Sequence, residues 1–345
     1  MYRSIKVLSK ARDRLSMMSL ILPNDENFRH SCFYGIAGYG LIKPMASLLN
    51  KKPPVKFLRV ALVGKHQAEG IQTVLQTICK LIKSCGCEVI YEAETAKFTG
   101  QHSEKTLDVE DFGGKIDVAV VVGGDGTLLG VGRKIAGTNI PLIGINMGRL
   151  GYMTDIPLQE IETVLPDILS GRFELDTRYL LEADIVHNDK VMQSGLALND
   201  VVVNRSSVSG MVELTVSVNG SFMYNQRSDG LIVSTPTGST AYSLAAGGPI
   251  LHPQVSGIIL APIAPHALSN RPIVLPGNAE ISIEVAGGKD VSVNFDMQSL
   301  MVIQTGDQIH VRKSEKSVTL LHPLGHSDYR TLREKLHWNE YPSSF

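Results

Sequence analysis

Apolar and polar positions along this chain follow two different textures. Val55 to Val63 reads as a buried strand. Ile71, Val74, Leu75, Ile78, Leu81 and Ile82 then recur at three- and four-residue steps, which predicts a helix with one apolar face and Gly86 at its C-terminal cap. Val89 to Tyr91 predicts a short strand. Ile116 to Val122 predicts another, and its unbroken apolar run from Val118 to Val122 suits a parallel strand covered on both faces. A glycine-rich turn, a short helix over Leu128 to Ile135 and a strand over Ile140 to Ile145 complete a β-α-β unit. This half therefore reads as an open α/β sheet, a type that binds ligands beyond the carboxyl ends of its strands.

After a helix expected over Gln159 to Leu169 the segments turn short and β-branched. They run Leu180 to Val186, Ala197 to Val203, Val212 to Val218, Gly230 to Val233, Ile281 to Val285, Val291 to Phe295 and Ile309 to Val311, with the Asn219-Gly220 turn among them. A closing helix carries Leu332, Leu336 and Trp338. The expected division is an extension over 1–50, loosely ordered or preceding the start used in the cell, an α/β domain over 51–156 plus 322–345, and a β-rich domain over 157–321. The extension is basic at Arg3, Lys6, Lys10, Arg12 and Arg14, but Asp13, Asp25 and Glu26 spoil a targeting peptide.

Composition narrows the function classes. The 345 residues hold 33 Lys plus Arg against 34 Asp plus Glu, a net charge of −1, so bulk charge gives no grip on nucleic acid. No apolar run approaches the roughly 18 residues of a membrane span. Cys32, Cys79, Cys85 and Cys87 make no disulfide framework, and a reducing cytoplasm is expected. His322 and His326 are four apart, but Pro323 and Gly325 rule against a helical metal face, and no metal ligands are assigned.

Four clusters carry chemistry. Gly123-Gly124-Asp125-Gly126-Thr127 follows a buried strand and opens a helix, where glycines let the backbone approach a phosphate. Leu129 stands where a Gly-x-Gly-x-x-Gly pattern needs its last glycine, and no Gly-Lys-Ser/Thr loop occurs. Asp125 is out of place beside phosphates unless it orients and deprotonates a hydroxyl; the alternative is a turn aspartate capping the helix. Asn146 to Asp155 ends the next strand, either as a ligand loop in which Tyr152 borders an aromatic ring or as a plain linker. Asn199-Asp200 places an amide beside a carboxylate inside a strand pattern, fit for ribose hydroxyls or simply a bulge. Gln226-Arg227-Ser228-Asp229-Gly230 precedes Ser234 to Ser243, a run dense in small hydroxyls that suits a polyhydroxylated or phosphorylated ligand; the alternative, a plain flexible Ser/Thr loop, explains poorly why Pro236 and Tyr242 interrupt it.

In this order the clusters resemble the NAD kinase family. Gly-Gly-Asp-Gly is shared with phosphofructokinases and diacylglycerol kinases, whereas Thr235-Pro236-Thr237-Gly238-Ser239-Thr240-Ala241-Tyr242 is far more specific. The resemblance implies an α/β N-terminal domain with an open, mostly parallel, Rossmann-like sheet, a β-rich C-terminal domain, and a tail returning to the first. It implies transfer of the ATP γ-phosphoryl to the 2′-hydroxyl of the adenosine ribose of NAD, giving NADP. Asp125 would be the proton acceptor, with Gly126 beside the dinucleotide and Asn199 and Asp200 on ribose hydroxyls. Arg227 and Asp229 would contact the dinucleotide, Thr240, Ala241, Tyr242, Ser243, Leu244 and Ala245 would line its pocket, and Gln298 would be a lesser contact. Asp200 stands where many members carry glutamate. Mg²⁺ or another divalent cation is expected to arrive with ATP, since no acidic cage is visible, and the assembly is expected to be a homo-oligomer, dimer or tetramer. A nicotinamide-dependent oxidoreductase, a non-catalytic NAD sensor and a lipid kinase are the competing readings.

Overall fold

The computed structural model describes residues 57–66, 68–101, 104–148, 151–205 and 210–337. The expectations for 1–50, for Cys32 and for Trp338 lie outside them. The first half runs β1 (Arg59–Gly64), α1 (Ile71–Ser84), β2 (Glu88–Glu92), α2 (Ala93–Thr99), β3 (Lys105–Leu107), β4 (Val118–Gly123), α3 (Asp125–Ile135), β5 (Leu142–Asn146), β6 (Ile156–Pro157) and α4 (Ile161–Leu169). Its strands lie in the order β3-β2-β1-β4-β5, all paired in parallel. The apolar run of β4 has the expected cause: Val118, Val120 and Val122 enter the core under α1 and α4, while Ala119 and Val121 enter the core under α3. Because the chain leaves β1 and β4 in opposite directions along the sheet, a crevice opens beyond their carboxyl ends.

The second half runs β7 (Glu174–His187), β8 (Lys190–Ala197), β9 (Asp200–Arg205), β10 (Val212–Val218), β11 (Ser221–Ser228), β12 (Gly230–Ser234), α5 (Tyr242–Ala245), β13 (Gly257–Ile263), β14 (Ile273–Pro276), β15 (Ile281–Gly287), β16 (Val291–Phe295), β17 (Ser299–Ile303), β18 (Gln308–His322) and α6 (Asp328–Leu336). β14-β13-β12-β9-β16-β17 form an antiparallel sheet. It packs on β7, β10, β15 and β18 around a core that includes Leu181, Val203, Leu231, Ile283, Val293 and Ile309. Asn219 (φ 52) and Gly220 (φ 74) make the β10-β11 turn with both residues in the left-handed region that such a hairpin requires. β18 then joins the halves, pairing antiparallel along β7 and meeting β5 in parallel at Leu320 and Leu142. The strand expected over Ala197 to Val203 is instead broken at Leu198 and Asn199, between β8 and β9. Among the described residues no helix is long and apolar enough to cross a membrane.

Candidate active site

Asp125 is the first residue of α3, after an extended Gly124 (φ −115, ψ −179). It does not cap that helix. Its carboxylate accepts the backbone N–H groups of Tyr152 at 2.8 Å, Met153 at 3.1 Å and Thr154 at 3.0 Å, and the Thr154 hydroxyl at 3.0 Å. Three of these donors reach Oδ1 and one reaches Oδ2, so Oδ2 keeps acceptor capacity. The 151–154 loop is thus an anion cradle built from main-chain donors. Two glycines allow it. A Cβ on Gly151 would lie 2.1 Å from Asp125 Oδ1, and one on Gly144 would lie 2.6 Å from the Met153 carbonyl.

Two cavities flank this turn. The first, of about 540 Å³, has Asp125, Gly126, Tyr152, Asn199, Thr240 and Ala241 on its walls, and α6 closes its far side with Tyr329, Leu332 and Lys335. Lys335 Nζ stands 5.8 Å from the Tyr152 ring centroid, and burial pushes the Tyr152 phenol up to about 12. The second cavity, of about 640 Å³, lies at the carboxyl ends of β1 and β4, with Lys65, His66, Gly124, Thr127 and Lys134 around it. Gly126 borders both.

Asn199 and Asp200 owe their position to Asp296. Its carboxylate, in a side chain with no exposed surface, accepts the N–H groups of Leu198 at 3.1 Å, Asn199 at 2.7 Å and Asp200 at 3.1 Å, and the Arg133 guanidinium at 3.1 Å. Asp296 (φ 52) and Met297 (φ 55) adopt left-handed backbone to make this turn. The hydroxyl-rich run works mainly as scaffold. Thr235 Oγ1 donates to the Leu198 carbonyl at 2.6 Å and Ser239 Oγ to the Pro236 carbonyl at 2.6 Å, which leaves Thr237 and Thr240 on the cavity wall.

Asp200 is 2% exposed. Burial, and then the Asp296 charge, push its carboxyl up to about 7. An unfolded aspartate releases its proton near about pH 3.9. Between roughly pH 4 and pH 7 the unfolded chain therefore holds fewer protons than the folded one, and this group's contribution to stability falls as pH rises through that window. Asp200→Asn is expected to flatten that part of the curve and to gain on the order of a few kcal/mol over the parent chain at pH 8, with no gain near pH 4. Urea midpoints at the two pH values check this, and equal slopes in the two proteins would refute it.

The remaining expected residues divide. Gln298 touches the turn, its Nε2 donating to the Gly126 carbonyl at 2.7 Å while its Oε1 accepts from Arg133 at 2.9 Å. Tyr242, Ser243, Leu244 and Ala245 form α5 and are not on the first cavity's wall. Arg227 pairs with Glu213 at 3.0 Å and Asp229 with Arg205 at 3.0 Å, both outside the cavity. Lys65, Lys134, Arg178 and the α6 residues were not foreseen. Of these, only Lys65 has a sequence signal, since it directly follows a buried strand's carboxyl end.

Comparison with known proteins agrees over both halves. The family model described as the ATP-NAD kinase N-terminal domain matches residues 60–173, and the ATP-NAD kinase C-terminal domain model matches residues 198–323. The chain is 61% identical over 287 residues to an NAD kinase of Cupriavidus pinatubonensis, covering 83% of this chain and 94% of that one. It is 58% identical over 299 residues to an NAD kinase of Ralstonia nicotianae, covering 87% and 98%. Among solved structures, a yeast NADH kinase complexed with NADH superposes with a TM-score of 0.74 at 26% identity, covering 85% of this chain and 89% of that one. An NAD kinase from Archaeoglobus fulgidus in complex with ATP gives 0.66 at 26% identity, covering 81% and 99%.

Proposed function

The chain belongs to the NAD kinase family, and from that footing we propose that it transfers the γ-phosphoryl of ATP to the 2′-hydroxyl of the adenosine ribose of NAD, with Asp125 as proton acceptor. One observation carries the assignment of parts: two cavities meet at the Gly124–Gly126 turn, and a held carboxylate sits on the wall of one of them. The first cavity takes the adenosine of NAD, with the adenine against Tyr152 and the ribose between Asp125 and Asn199. The second takes the triphosphate of ATP, where Lys65 and Lys134 meet its charge and the N-terminus of α3 faces an anion.

The ribose oxygen attacks the γ-phosphorus as Asp125 accepts its proton. The bond from phosphorus to the bridging oxygen of ADP breaks, and ADP leaves. A carboxylate acceptor serves late, as the new bond forms. Its four donors fix its orientation, and positioning is most of what phosphoryl transfer needs. Mg²⁺ bound with ATP would neutralise phosphate charge. The second cavity suits a cation carried by the phosphates, because among the described residues the carboxylates on its wall are only Glu92, which caps α2, and Glu94, too few for a cage of their own.

Arg227 and Asp229 lie outside the cavity, so a role for them in holding NAD rests on a homo-oligomer whose second copy brings them to the site. The thiols of Cys79 and Cys85 support a reducing, cytoplasmic setting. Incubation with NAD, ATP and Mg²⁺ is expected to yield NADP and ADP in equal amounts. Reduction of NAD without ATP use would instead indicate an oxidoreductase, and binding without turnover a sensor.

A further inference from the structure

β18 ends at His322, and a turn through Pro323 and Gly325 (φ 82) returns the chain so that the rings of His322 and His326 stack with centroids 3.9 Å apart. The spacing that no helix could use is used by this turn. Both Nδ1 atoms lie 2.9 Å from Oδ2 of Asp155, the residue after the loop that cradles Asp125. The three side chains are only 1%, 11% and 8% exposed, and one ligating atom from each falls within 4.8 Å of the others. We propose that Asp155, His322 and His326 form a binding site for a zinc-class divalent cation, separate from any Mg²⁺ carried by ATP.

Four features carry this. Two imidazole nitrogens and one carboxylate oxygen are the donor set of Zn²⁺ and its neighbours, whereas Mg²⁺ and Ca²⁺ require mostly oxygen. The other nitrogen of each ring faces its own carboxylate: His322 Nε2 lies 3.3 Å from Asp176, and His326 Nε2 lies 3.7 Å from Asp328. An outer carboxylate hydrogen-bonded to the second nitrogen orients a metal-ligating histidine, as Asp176 does for His322, while His326 Nε2 makes no hydrogen bond; Arg178 anchors both carboxylates. Asp155 Oδ1 is buried without a hydrogen-bond partner, an orphan that a bound ion accounts for.

Charge gives the fourth. Asp155, Asp176 and Asp328 outweigh Arg178 by two negative charges, and two stacked imidazolium rings would neutralise them only by repelling each other. A divalent cation does so with both rings neutral. Tetrahedral bonds of about 2.0–2.1 Å separate ligand atoms by roughly 3.4 Å, so the present 2.9 Å contacts need open only slightly. The site would pin the start of α6, which closes the first cavity.

The test reads metal, not turnover, so its outcome is independent of the kinase assignment. The whole chain, stripped with EDTA and exchanged into metal-free buffer, is titrated with Co²⁺. One equivalent is expected to bind with the intense visible bands of tetrahedral coordination and to be displaced by Zn²⁺. Both the bands and the Zn²⁺-induced rise in melting temperature are expected to vanish in His326→Ala and in His322→Gln. A parent chain that develops no such bands overturns the proposal. So do bands that persist in His326→Ala, whose folding is verified by its own melting curve.

Discussion

Replacing Asp125 with asparagine is expected to lower kcat by roughly 10²–10⁴-fold, the range typical of a lost general base, with KM for NAD changed far less. The cradle adds a structural consequence. Three donors converge on Oδ1, so the amide oxygen of asparagine must take that place and turn its NH₂ toward the Tyr152 N–H, now 2.8 Å from Oδ2. One charge-assisted hydrogen bond becomes a donor–donor contact, costing about 1–3 kcal/mol of stability. The variant should therefore melt lower yet bind NAD, which calorimetry on the folded protein measures directly. Turnover at the parental rate would remove Asp125 from the chemistry. If NAD affinity fell in step with kcat, Asp125 would be a holder of the 151–154 loop and not a proton acceptor.

The parts of the fold that were legible are those in which burial dictates sequence. β4 is covered on both faces and has no polar residue before its glycine, so its reading needed only hydrophobicity. α3 was expected from Leu128 and begins at Asp125. Its first turn contains Gly126 and lacks the apolar period, and glycine costs about 1 kcal/mol in a helix interior. β8 was given no assignment before Ala197 because all of Lys190–Ser194 is exposed, and β18 was recognised only over Ile309 to Val311 because charged residues dominate Arg312–Lys316. Both strands exist because β7 supplies their hydrogen bonds, a long-range fact absent from local pattern.

The site divides along the same line. Asp125 stood out because its charge contradicts its place. The 146–155 cluster also stood out, as a ligand loop, yet it holds Asp125 mainly through backbone N–H groups, and no residue type advertises a main-chain donor. The run 234–243 advertised hydroxyls, of which those of Ser234, Thr235, Ser239 and Thr240 are spent on main-chain carbonyls. The pairing of His322 with Asp155 joins positions 167 residues apart, and the α6 wall is likewise remote in sequence from the turn it faces, so neither spacing nor periodicity can bring them together.

Gly151→Ala is the sharpest test of whether the cradle matters, because it leaves every polar group of the site in place. The new methyl would stand 2.1 Å from Asp125 Oδ1 and 2.2 Å from Thr154 Oγ1, well inside van der Waals contact. Either the loop lifts away, abandoning up to four hydrogen bonds, or Asp125 swings off them and out of its fixed orientation. Overpacking alone costs about 1–3 kcal/mol, and the lost bonds add to it. Turnover is expected to fall at least about 100-fold, since misplacement of a reacting group by about 1 Å has that effect. The matched control is Gly148→Ala in the same segment, whose methyl meets nothing within 4 Å and which should keep parental kinetics and melting. Since Gly151→Ala retains the carboxylate, a loss of kcat as large as that of Asp125→Asn would mean that the orientation imposed by the loop, and not the mere presence of a base, sets the rate. Parental turnover in Gly151→Ala would mean that Asp125 acts in a position other than the one its four donors define.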